Sequence, residues 1–201
     1  AFLVSWIASA LFSPLLARKL IGSPFFSSFK FYLEGAEKVT DYELVRRTVS
    51  SLSNAEMDSI IDSAALPSPY SRAILDNMKG QVFAKDGLTT VGEYFDMTIY
   101  CVIMNIIAFI LVFLLLRLVL TLFTNAYSYS VDLPQLKKFD RLLGGAVALI
   151  RAFFSMHMLF SVVAIMIMIV PSQITDILNT SFFARVFYSG SVVLPFIAGK
   201  V

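Results

Sequence analysis

Met97–Phe123 reads MTIYCVIMNIIAFILVFLLLRLVLTLF, and in the whole stretch Arg117 is the single charge. From Met97 to Leu116 there is none. A bilayer's hydrocarbon core of about 30 Å takes roughly 20 residues of helix at about 1.5 Å each. This stretch meets that length, and a core helix of a soluble domain seldom stays uncharged so long. Just upstream, Thr90-Val91-Gly92-Glu93 has the spacing of a capping box, which predicts a helix starting in water near Val91.

Working outward, Leu142 to Thr175 holds only one formal charge, Arg151, and Pro171 marks its expected end because proline cannot continue the hydrogen-bond ladder. This is a second predicted span. A third apolar stretch is Ala1 to Ala17, closed by Arg18 and Lys19. Pro14 is expected to bend or end that helix early. Ala8-Ser9-Ala10 superficially resembles a signal-peptidase site, but no basic region precedes it. Opening on Ala1, the sequence is expected to lack an upstream segment.

Composition agrees. Hydrophobic residues make up 58% and charged ones 15% of the 201, against about 45–50% and about 25% in soluble domains. Mean hydropathy is +0.78. The charges concentrate between Ser23 and Asp96, which holds 11 of the 14 acids and 7 of the 16 lysines and arginines. Ser53-Asn54-Ala55-Glu56 there is a second capping-box pattern, Ser68-Pro69 places proline at a favourable first helical position, and Gly80 is placed to stop that helix. Two or three short amphipathic helices are predicted, with Ile60, Ile61, Ala64 and Leu66, or Ile74, Leu75 and Met78, facing a small core or the lipid surface. After Pro171 the tail stays apolar but is too broken to span. Phe182, Phe183, Val186 and Phe187 follow helical spacing, with Gly190 as a stop, so an interfacial segment is expected.

The expected fold is therefore an all-α integral membrane protein with three apparent transmembrane helices, a fourth being expected upstream. The segments are a first span (1–22), an acidic helical insert (23–90), a second span (91–124), a basic link (125–143), a third span (144–170) and an amphipathic C-terminal tail (171–201). Lys137, Lys138 and Arg141 in the link predict that it is cytoplasmic and that the insert lies outside, although Arg18 and Lys19 point the other way.

Ser5, Ser9, Ser13 and Ala17 recur every four residues on the first span, and Gly144, Ala148 and Ala152 do so on the last. Small residues let membrane helices approach closely. These two helices are expected to meet each other or a second copy, with the middle one facing lipid or filling gaps. Arg117 and Arg151 lie within about seven residues, or about 10 Å, of their expected span ends. Two readings are open for them. An intramembrane arginine costs roughly 2.5–3.5 kcal/mol at a helix centre on insertion scales, which points to an anion-facing or lipid-headgroup site, with Ser155 one turn beyond Arg151. The bland alternative is snorkelling to the interface.

His157 is the only histidine and Cys101 the only cysteine. One chain cannot build a disulfide framework or a zinc site from these, and His157 reads as a hydrogen-bonded packing residue. Asn105, Tyr100 and Ser155 could bond across helices. No G-x-S-x-G elbow, H-E-x-x-H or P-loop is present, and no span carries paired acids. No enzyme activity and no cofactor are expected. The formal net charge of +2, without a basic run, argues against nucleic acid. The expected partners are the lipid bilayer, a second copy, and an envelope or export protein docking on the insert.

The run Leu133-Pro134-Gln135-Leu136-Lys137-Lys138-Phe139-Asp140-Arg141-Leu142-Leu143-Gly144-Gly145, followed by Ala148 and Leu149-Ile150-Arg151-Ala152, resembles the colicin V production (CvpA) family. There, a basic connection ending in Asp140-Arg141-Leu142-Leu143-Gly144 leads into a last span. The resemblance covers roughly 1–20 and 91–190, with Ala1 to Leu16 similar to that family's second span. A first span and a Gly- and Arg-rich turn would then precede Ala1. Ala152 stands where the family commonly has glycine, and the insert is longer than in its short members. The resemblance implies a bacterial inner-membrane protein tied to toxin production or export and to envelope upkeep. Two roles are expected for the chain, a channel-like or scaffold component or, alternatively, a transport accessory docking a partner through the insert.

Overall fold

The computed structural model describes residues 2–33, 35–66, 68–128, 137–167, 177, 180–184 and 186–187. These form α1 (Phe2–Ile21), α2 (Pro24–Ser27), α3 (Tyr42–Arg46), α4 (Asn54–Ala64), α5 (Ser68–Lys79), α6 (Val91–Ser128), α7 (Lys137–Ile167) and α8 (Phe182–Ala184), joined in part by short 3₁₀ turns. No strand occurs among the described residues; Thr48 and Thr90 make one isolated antiparallel bridge. The protein is all-α, and three helices are long and apolar enough to cross a membrane: Phe2–Ile21, Val91–Ala126 and Leu142–Met166.

Local chemistry places the water-side helices. Ser53 and Glu56 close a full capping box at the start of α4. Glu93 Oε2 accepts from the backbone N–H groups of Thr89 (2.8 Å) and Thr90 (2.9 Å) at the start of α6. Such reciprocal bonds satisfy amides that the first helical turn cannot pair. α5 ends at Lys79 before Gly80, but the left-handed residue that turns the chain is Gln81, at φ 45°.

Two features refine the expectations about α1. Pro14 neither ends nor shortens it, since the helix runs through to Ile21. Membrane helices tolerate proline where neighbouring groups satisfy the freed carbonyl. Nor is the last helix the main neighbour of α1, which packs most extensively on α6. Phe2 meets Phe113 edge-on at 5.4 Å, Trp6 meets Phe109 at 6.0 Å, and Tyr100 Oη donates to the Ile21 carbonyl at 3.5 Å. As α1 numbers rise those of α6 fall, so the pair is antiparallel. Ser5, Ser9, Ser13 and Ala17 are all buried. Their shallow surface suits the large side chains of α6. Ser9 Oγ donates to the Ser5 carbonyl at 2.6 Å, which keeps its hydroxyl satisfied inside the helix.

The insert does not close its core alone. Leu33, Val39, Val49, Leu52, Met57, Ile60, Ile61, Ala64, Tyr70, Ile74 and Met78 pack with Val91, Phe95, Ile99, Ile103 and Ile106 of α6. Two polar ties, one buried and one half-buried, fix this docking. Asn77 Nδ2 donates to Thr98 Oγ1 at 3.0 Å, and the Ala36 N–H donates to Asp96 Oδ1 at 2.7 Å. At 38 residues, α6 is about 57 Å long, nearly twice a hydrocarbon core. Its first half packs against both the insert and α1. Its second half exposes Leu111, Leu114, Leu115, Leu118, Leu122 and Phe123.

The helices also outrun the predicted 125–143 link, since α6 continues to Ser128 and α7 begins at Lys137. Of the predicted tail, Phe182, Phe183, Val186 and Phe187 are described; Gly190 and the rest of 188–201 lie outside the described residues.

Candidate functional site

α7 presents two chemically different faces. At 100° per residue, Gly144, Ala148, Ala152 and Ser155 fall on one side and His157, Ser161 and Ala164 on another. The second group is buried: His157 lies between Phe153 (4.4 Å) and Phe187 (5.0 Å), and the Ala164 carbonyl accepts from Tyr70 Oη at 2.7 Å. The first group is exposed. A Cβ built on Gly144 or Gly145 would meet nothing within 4 Å. Asp140 and Arg141 lie within α7, and their side chains are outside the described residues.

Where the three membrane-capable helices meet, the contacts are aromatic. The Trp6 ring of α1 sits 6.0 Å from Phe109 of α6 and 5.0 Å from Phe154 of α7. One turn away along α1, Phe2 gathers both intramembrane arginines. The Arg117 guanidinium is 5.6 Å from its ring centroid and that of Arg151 is 5.9 Å away. Arg117 is half-buried and Arg151 exposed. Neither takes part in an ion pair among the described residues. Ser155 is exposed one turn beyond Arg151.

Sequence reasoning placed both arginines toward the same side, flanking the 125–143 connection, and gave Phe2 no role. Nothing local could have joined them, because the meeting depends on how α1 docks. Tyr70 was likewise missed, although a tyrosine directly after Ser68-Pro69 sits on the first turn of a helix whose Ile74 and Met78 were expected to be buried. Among the described residues, no three His, Cys, Asp or Glu side chains come together.

Neither a curated protein nor a solved structure matches the chain. A family model described as "Colicin V production protein" matches residues 79–197, more than half of the sequence. That region includes all of α6, α7 and α8 and the last residue of α5, and Asp140, Arg141 and both intramembrane arginines lie within it. With three membrane-capable helices beside that match, the protein is a multi-pass membrane protein, and it belongs to the colicin V production family.

Proposed function

We propose that the protein is a non-enzymatic, self-associating component of the bacterial inner membrane, channel-like or scaffolding, that serves toxin production or export and envelope upkeep. On this reading the insert faces outward and the link lies in the cytoplasm. The observation that carries it is the exposed small-residue face of α7, Gly144–Ala148–Ala152, on the side away from buried His157, Ser161 and Ala164. In lipid, association draws on close van der Waals packing, and small residues are what permit it. A second copy laid on this face would bring Arg151 to the edge of the new contact.

The test is Ala148→Phe, with Leu149→Phe as control; Leu149 is 74% exposed and lies about 100° round the helix. Ala148→Phe should convert a discrete homo-oligomer in mild detergent to monomer while the control assembles normally. Equal assembly of the two would remove the packing face from the argument. A second reading is a transport accessory that docks an envelope or export protein on the insert. It is favoured by Tyr42, 85% exposed on the insert surface beside Glu43. A monomer that captures a defined partner, lost on Tyr42→Ala, would support it over the first.

A further inference from the structure

We infer that Arg117, Arg151 and Phe2 form one intramembrane anion site that takes a phosphate-bearing group. The inference is independent of self-association and would stand if the protein were a monomer.

Depth comes first. Arg117 lies nine residues inside the end of its span at Ala126, and Arg151 nine residues inside the start of its span at Leu142, on the same side. At about 1.5 Å per residue, each is about 13.5 Å along its helix from that end. Position comes second. Phe2 rests on Phe113 and stands 5.6 Å from the Arg117 guanidinium and 5.9 Å from that of Arg151, so one ring holds both cations.

Charge comes third. The two guanidinium groups can be no farther apart than the sum of their distances to one ring, and like charges in a low-dielectric setting repel. No acid is available on the spans to offset them. α1 has none, α6 has none after Asp96, and α7 has none after Asp140, which is 11 residues and about 16 Å from Arg151. The face of Phe2 attracts a cation but cannot neutralise one. Among the described residues no acid pairs with either guanidinium, and a bound anion supplies the counter-charge.

Its class follows from the donors. One planar guanidinium fork already satisfies both oxygens of a carboxylate. Two forks arriving from different helices suit a group with more oxygens, directed out of a single plane. Phosphate is that group, carried either by an anionic lipid headgroup or by a solute. Ser155 adds a hydroxyl one turn away on the Arg151 side of α7.

The full chain, in nanodiscs of phosphatidylcholine and phosphatidylglycerol, is extracted and its retained lipid is read by native mass spectrometry, with and without millimolar inorganic phosphate. The wild type should enrich phosphatidylglycerol. Arg117→Lys and Arg151→Lys should each cut that enrichment about fivefold or more, because lysine keeps the charge but loses the fork. Arg72→Lys, at an exposed insert arginine, should behave as wild type. Enrichment that resists phosphate assigns the site to lipid. Displacement by phosphate, with direct phosphate binding lost in the same two variants, assigns it to a solute. Wild-type protein that neither enriches phosphatidylglycerol nor binds phosphate overturns the site, even if a lysine variant fails to assemble. So do two folded lysine variants that match wild type, or an equal loss in Arg72→Lys.

Discussion

Trp6 is the only tryptophan, and it stands where all three membrane-capable helices meet. Phe154 is the ring that α7 contributes there, 5.0 Å from the indole. Replacing Phe154 with alanine removes that ring and leaves the Trp6–Phe109 pair in place. An aromatic pair adds about 0.5–1.5 kcal/mol beyond its buried area. Area itself counts for little here, because lipid tails are as apolar as the side chain lost. The expected cost is therefore about 1 kcal/mol, which moves the ratio of docked to undocked α7 about fivefold. Trp6 is 7% exposed in the intact fold, so lipids brominated on their acyl chains should quench it weakly. In Phe154→Ala their access should rise, with no red shift in emission, since lipid rather than water takes the place of the ring. Leu149→Ala, on the exposed side of the same helix, is the control. Quenching in Phe154→Ala equal to that of the control would mean that α7 does not shield Trp6, and the three-helix junction would be refuted.

Two further outcomes are expected. Tyr70→Phe keeps the buried ring but strips the hydroxyl from the Ala164 carbonyl; leaving a buried acceptor short of its donor costs about 1–3 kcal/mol. Amide exchange in α5 should quicken accordingly, and unchanged exchange would show that the hydroxyl does not tie the insert to α7. The Glu56 carboxylate is held below the usual carboxylate range by bonds from the Ser53 backbone and hydroxyl and from Arg47. A lowered folded pKa gives stability that is present above the unfolded value, about 4.3, and is lost as pH falls through the folded one. Protection of the first turn of α4 should thus decline on acidification, and Glu56→Gln should flatten that dependence; an equally steep decline in the variant would refute it.

How much of this was legible depends on the range of the interaction. Ser53–Glu56 and Thr90–Glu93 could be read from sequence because a capping box is complete within four residues. The apolar runs disclosed three membrane-capable helices because length and hydropathy decide that question without knowledge of neighbours. The Ser5–Ala17 stripe shows which side of α1 is shallow, yet carries no information about which helix has large side chains in register with it. The division of α6 was hidden for a related reason. Ile99, Ile103 and Ile106 inside the insert's core have the same character as Leu114 and Leu118 outside it, so composition does not change where the surroundings do. The meeting of Arg117 with Arg151 is the most remote case, since it requires two helices placed independently against the first turn of a third.

The shared ownership of α6 also sets an order of assembly. Synthesis delivers residues 23–90 before the helix that completes their core, so Ile60, Ile74 and Met78 must wait without Phe95 and Ile99 until that helix emerges. The insert can finish folding only as its own downstream span is entering the bilayer. Its maturation is thereby tied to correct insertion, and a chain whose α6 fails to enter would display an uncovered apolar insert, a form that quality-control proteases recognise.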